Sequence, residues 1–196
     1  QVNIKLVDAE TGNDLEGCEV TFNGETKTTP ADGEVSFSNI TPEFYSLNAE
    51  KQHFNRFSKN RVGIYSDTTL VLNMQRTRYN TVFHATDKRT GENISSVDLT
   101  VNDSITRTTN YEGLVSFDLV YGTYQLNTSN ESYEDIQEEY TISSDTSFSL
   151  ELNKTHADVK FRIKNQSSPV NDAEIIIDQD TVVTNSLGIA TFNQLK

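Results

Sequence analysis

The side chains able to do chemistry are three histidines, one thiol and a large excess of acids. His53, His84 and His156 lie far apart, and none has a second His or a carboxylate at zinc-ligand spacing. Cys18 is the only cysteine, which excludes a disulfide framework and a C-x-x-C redox pair. Adjacent acids such as Glu134-Asp135 and Glu138-Glu139 raise the question of paired-carboxylate hydrolysis. On a strand, however, neighbouring side chains point to opposite faces, so these pairs read as a solvated rim. The Asp- and Asn-rich stretches Asp8–Asp14 and Asn102-Asp103 lack the spacing of a calcium-binding EF-hand loop. There is no G-x-S-x-G elbow, no H-E-x-x-H and no glycine-rich phosphate loop. No catalytic residue, metal or cofactor is expected.

Binding is better served. The segment from Lys51 to Arg61 carries Lys51, Arg56, Lys59 and Arg61 with no acid. Its counterpart later in the chain carries Glu131, Glu134, Asp135, Glu138 and Glu139 with no base. Two drifted, solvated loops would explain the contrast. A complementary pair that steers neighbouring units or chains together would explain it as well. Tyr111, Tyr121, Tyr133 and Tyr140 are candidates for stacking on a sugar ring, although the chain has no Trp.

The chain has 196 residues and a net charge of −13, which repels DNA, RNA and anionic membrane surfaces. No apolar run approaches the ~20 residues that a membrane helix needs. Gln1 stands directly before a strand pattern without a basic, apolar leader, as in a mature product or a piece of a longer chain.

The elements that must position these residues repeat along the sequence. Leu15-x-x-Cys18-x-Val20-x-Phe22 returns as Ile94-x-x-Val97-x-Leu99-x-Val101 and as Val170-x-x-Ala173-x-Ile175-x-Ile177. Gly33-x-Val35-x-Phe37 returns at Gly113 and Gly188, and Tyr45-x-Leu47-Asn48 at Tyr124. The units predicted are 1–77, 78–155 and a partial third, 156–196, that holds only the first half of the pattern. Within them the apolar period is two, broken by turns such as Asn23-Gly24 and Asp32-Gly33. The expected class is all-β: tandem antiparallel sandwiches of the immunoglobulin-like kind, with about seven strands per full unit. One buried face per strand accounts for a hydrophobic content of only 34%.

Val7-Asp8-x-x-Thr11-Gly12, then Thr28-Thr29-x-x-x-Gly33-x-Val35-x-Phe37, resembles the carboxypeptidase-regulatory-like repeat, a relative of the transthyretin-like (prealbumin-like) sandwich. Asp87-x-x-Thr90-Gly91, Thr108-Thr109-x-x-x-Gly113 and Gly122-x-Tyr124 repeat the likeness in the second unit. The resemblance implies that Cys18 is a buried structural thiol and that Tyr124 packs in the core. A second resemblance is to the collagen-adhesin B-type repeat, which can cross-link a first-strand Lys to a last-strand Asn. Lys5 and Asn73 hold roughly those places, but alternation turns both outward, and the second unit has His84 and Glu151 there. Asp67-Thr68-Thr69, Asp103-Ser104-Ile105 and Asp180-Thr181-Val182 are similar to short O-glycosylation sites of Bacteroidetes-type surface proteins.

The function expected is a non-catalytic extracellular or cell-surface module, a spacer or adhesive stalk that docks a protein or glycan. A glycan-binding accessory module of a polysaccharide-processing protein is the alternative. Another chain could add a strand at the incomplete third unit. An enzyme on the same fold would need a His/Arg/Ser constellation, which is not apparent.

Overall fold

The computed structural model describes residues 1–195. All of its regular structure is strand. The first repeat contains β1 (Val2–Asp8), β2 (Glu19–Phe22), β3 (Glu25–Thr28), β4 (Glu34–Phe37), β5 (Glu43–Glu50), β6 (Phe57–Ile64) and β7 (Thr68–Met74). The second contains β8 (Arg78–Asp87), β9 (Asp98–Val101), β10 (Ile105–Thr108), β11 (Leu114–Val120), β12 (Gly122–Ser129), β13 (Gln137–Ile142) and β14 (Thr146–Leu152). Strand order in the first is β4-β1-β7 and β3-β2-β5-β6; in the second it is β11-β8-β14 and β10-β9-β12-β13. The same topology thus occurs twice, with about seven strands each time, as the repeat predicted.

The chain divides into two compact units. One comprises Gln1–Val82, Ser116–Tyr124 and Tyr140–Thr146; the other comprises Phe83–Val115, Gln125–Glu139 and Ser147–Lys196.

In the first unit, β1 follows strict alternation: Val2, Ile4, Leu6 and Asp8 are buried between partly exposed neighbours. Val2, Ile4 and Leu6 share one core with Val20 and Phe22 of β2, Tyr45, Leu47 and Ala49 of β5, and Leu72 and Met74 of β7. Two sheets closing on one core is the sandwich arrangement. Phe22 sits at its centre, 5.3 Å from the Phe37 ring and 5.0 Å from the Tyr45 ring, tilted against each. Such pairs add about 1 kcal/mol beyond area burial. One pairing departs from the antiparallel rule: β1 and β7 run parallel, in register from Val2 against Thr68 to Asp8 against Met74.

Three backbone devices recur wherever the sequence landmark recurs. Gly33, Gly113 and Gly188 each stand at positive φ and pass a carbonyl to the amide of Leu6, Ala85 and Ile163 respectively. Thr29, Thr109 and Thr184 are buried, and each hydroxyl accepts from the amide of Cys18, Val97 or Ala173. Each also donates to the carbonyl of Leu15, Ile94 or Val170.

In the second unit, β15 (Ala157–Arg162) pairs with β20 (Ile189–Leu195). The hairpins β16 (Lys164–Asn165) with β17 (Ser168–Pro169), and β18 (Glu174–Ile177) with β19 (Asp180–Val183), lie between them in sequence. Ile175 and Ile177 are half-buried where Val20, Phe22, Leu99 and Val101 are fully buried. Ile176, Val183 and Leu187 are exposed.

Candidate functional site

The Asp of each D-x-x-T-G turn is buried and held by several partners. Asp8 ends β1 and is buried. One oxygen accepts the Glu10 amide at 2.9 Å, and the other takes the Arg76 guanidinium at 2.8 and 2.6 Å. Burial pushes its carboxyl up, but the Arg76 bond and the Glu10 amide outweigh that and hold it below the usual value. Asp87 repeats the arrangement: it takes the Arg89 and Thr90 amides at 2.9 and 3.0 Å, the Tyr133 hydroxyl at 3.1 Å and Lys154 at 3.6 Å. The Thr90 amide contributes most, followed by the opposing effect of burial, and the carboxyl comes down to about 2. A carboxylate depressed below its unfolded value near 3.8 stabilises the fold above that pH and loses the contribution as it protonates. Acid unfolding of wild type should therefore steepen between about pH 5 and about pH 2, and Asp87→Asn should flatten that slope in chemical denaturation. An equal slope in both proteins would exclude the role.

The same clasp fixes the exit of each repeat. Phe54 bridges Arg76, and Tyr133 bridges Lys154. The Thr77 amide donates to the His53 carbonyl at 2.8 Å, and the Thr155 amide to that of Ser132 at 3.0 Å.

The three histidines are not brought together into a site. His53 Nδ1 is 2.9 Å from the Tyr79 hydroxyl, and its ring stacks on Tyr121 at 3.9 Å. His84 bonds Asn93 Oδ1 at 2.8 Å and His156 bonds Thr155 Oγ1 at 2.7 Å, so each meets a neutral partner. Among the described residues no group of three or more His, Cys, Asp or Glu could hold a metal ion. Cys18 is buried, its thiol faces the Leu15 carbonyl at 3.6 Å, and burial pushes its pKa up. Lys5 bonds Asp14 at 2.9 Å and pairs in register with Val71, while Asn73 pairs with Val7.

The candidate tyrosines occupy different settings. Tyr111 is 83% exposed in the turn before Gly113. One face of Tyr121 is covered by His53. Tyr133 is half-buried with its hydroxyl on Asp87, and Tyr140 is half-buried on β13. Tyr124 is half-buried, its hydroxyl donating to the Val120 carbonyl as that of Tyr45 does to Thr41.

The basic segment is partly used up locally. Lys51 donates to the Glu16 carbonyl at 2.6 Å, and Arg56 pairs with Glu50 at 3.0 Å; both line a shallow polar hollow of about 420 Å³. Lys59 and Arg61 stand exposed on β6. Arg61 lies over the Phe44 ring at 4.4 Å, and Tyr65 meets that ring edge-on at 5.9 Å. Sequence reasoning missed Phe44 and Tyr65, which are 52% and 64% exposed. The signal was present, because inward Tyr45, Leu47 and Ala49 turn Phe44 outward on β5. In the acidic segment Glu134 accepts from Asn153 at 3.0 Å, and Glu131, Asp135, Glu138 and Glu139 are exposed.

A second hollow, of about 900 Å³, surrounds the Asp87–Lys154 pair and reaches Arg89, His156 and Asp158.

No protein-family model matches the chain, and no curated protein matches it in sequence. Among solved structures it is similar to the Bacillus anthracis TIE protein, with a TM-score of 0.62 at 17% identity over 97% of this chain and 42% of that one. That likeness shows the fold alone. The chain spans less than half the length of that protein. A streptococcal ancillary pilin aligns over 78% of this chain and 61% of its own at 18% identity and a TM-score of 0.38. The shaft pilin SpaA of Lactobacillus rhamnosus GG aligns over 78% and 96% at 11% identity and 0.35. These two likenesses are too loose to carry an argument. The β-sandwich repeat is shared; the carboxypeptidase-regulatory-like resemblance rests on the motif residues only.

Proposed function

We propose that the chain is a non-catalytic, load-bearing repeat segment of an extracellular bacterial-type surface or secreted protein, serving as spacer or adhesive stalk. The parallel pairing of β1 with β7 carries this reading. The polypeptide enters the first repeat at the Val2 end of that ladder and leaves it at the Met74 end. Tension along the chain then loads the rungs together in shear instead of opening them one at a time. Arg76, the first charged residue beyond β7, is tied back to Asp8 at the end of β1, where the load leaves.

Pulling single molecules by their ends tests it. The first repeat should rupture in one discrete event, and Arg76→Ala should lower its rupture force by raising the unfolding rate. Extension without a discrete event would sink the proposal. The glycan-binding alternative draws support from Tyr111, and a reproducible glycan ligand lost on Tyr111→Ala would favour it.

A further inference from the structure

The four-stranded sheet of the first repeat ends at β6, and that of the second ends at β13. A terminal strand offers its backbone N–H and C=O groups to whatever comes alongside, and charged side chains are the usual guard against unwanted pairing. Here the two guards have opposite signs. On β6, Lys59 is exposed with no ion pair among the described residues. Across the register shift of that strand, Arg61 lies over the Phe44 ring at 4.4 Å. That contact holds the guanidinium in place, so less freedom is lost when it meets a carboxylate. On and before β13, Glu131, Asp135 and Glu139 are exposed, and they too have no ion pair among the described residues.

Like guards repel, so of the pairings between these two edges the mixed one is attractive and two β6 edges or two β13 edges are not. The register of β5 against β6 shifts between Tyr45 and Leu47, and that irregularity denies an incoming strand a long unbroken ladder. Charge, with the exposed Phe44 and Tyr65 beside it, must supply the contact.

We propose that the β6 edge of one copy docks against the β13 edge of a second copy, with Lys59 and Arg61 engaging the carboxylates of Glu131, Asp135 and Glu139. The occupant is a second copy because the same chain carries the complementary charges at the equivalent place of its other repeat.

Sedimentation velocity over a concentration series tests this at about 0.1 M salt, where a Debye length of ~10 Å screens whole-chain repulsion but spares contacts at salt-bridge distance. Wild type should gain mass with concentration. K59E/R61E and E131K/D135K/E139K should each weaken association on the order of tenfold. An equimolar mixture of the two should recover it, because the reversed β6 edge of one meets the reversed β13 edge of the other. All the changed side chains are exposed, and unchanged unfolding midpoints verify that both variants fold. The triple variant also makes the chain less negative, so association driven by reduced repulsion would strengthen there; a gain overturns the proposal. A wild type that stays monomeric throughout overturns it too, as does association that survives both variants. An acidic polysaccharide held by monomeric wild type and lost in K59E/R61E would reassign the edge to a glycan. None of these outcomes bears on the rupture force of a single chain.

Discussion

Gly33→Ala should cost the first repeat about 3–5 kcal/mol of stability, read from urea or guanidinium unfolding. Gly33 has φ +69°, and an added Cβ would sit 2.7 Å from the Leu6 carbonyl oxygen and 3.0 Å from the Leu15 nitrogen. Those two atoms are hydrogen-bonded to each other at 3.0 Å, so the methyl group would wedge into a backbone bond between β1 and the strand-entry loop. Neither side of that wedge is a flexible side chain. Gly12 provides the control: at φ +73° it has nothing within 4 Å of its Cβ position. Gly12→Ala should therefore cost only the left-handed backbone preference, about 1–2 kcal/mol. Equal losses in the two variants would mean that backbone preference alone, and not the close approach, explains the glycine.

The second large effect belongs to a hydroxyl. Thr109→Val keeps the shape and removes the group that accepts from the Val97 amide at 3.0 Å and donates to the Ile94 carbonyl at 2.8 Å. Thr109 is only 5% exposed, so both backbone groups would stay buried without that partner. Orphaning a buried polar group costs about 1–3 kcal/mol, and two of them bring the expected loss to about 2–4 kcal/mol. Thr109→Ser keeps the hydroxyl and should recover most of it. A valine variant as stable as wild type would mean that the strand-entry loop finds other partners.

Both positions were visible in the sequence as landmarks, for different reasons. Gly33-x-Val35-x-Phe37 combines a glycine with period-two apolar residues, and that pattern alone fixes which faces of β4 are buried. The all-β class and the strand count of the first two repeats followed from such local patterns. Thr29 and Thr109 recur just as regularly, but a threonine at a fixed spacing does not announce which backbone groups its hydroxyl will meet. The parallel run of β1 beside β7 was also hidden, because alternation reports the buried face and not the direction of the neighbouring strand. Surface charge was the least legible. Lys51 and Arg56 look equivalent to Lys59 and Arg61 in a list of cations, yet the fold brings the Glu16 carbonyl and Glu50 to the first two. Tyr133 reads as a free aromatic until folding places Asp87 at its hydroxyl.

The position of β1 also governs when the molecule can come into being. Its neighbours are β4 and β7, so the first strand of the repeat is an interior one whose second partner is the last strand of that repeat. Pairings between segments so distant along the chain close slowly, because loop entropy is lost before the contacts repay it. A growing or threading chain would hold Val2, Ile4 and Leu6 without their β7 partners until Thr68–Met74 had followed. Each of the first two repeats would then mature as a whole step, soft enough to be passed along as an open chain beforehand and locked only when its final strand arrives.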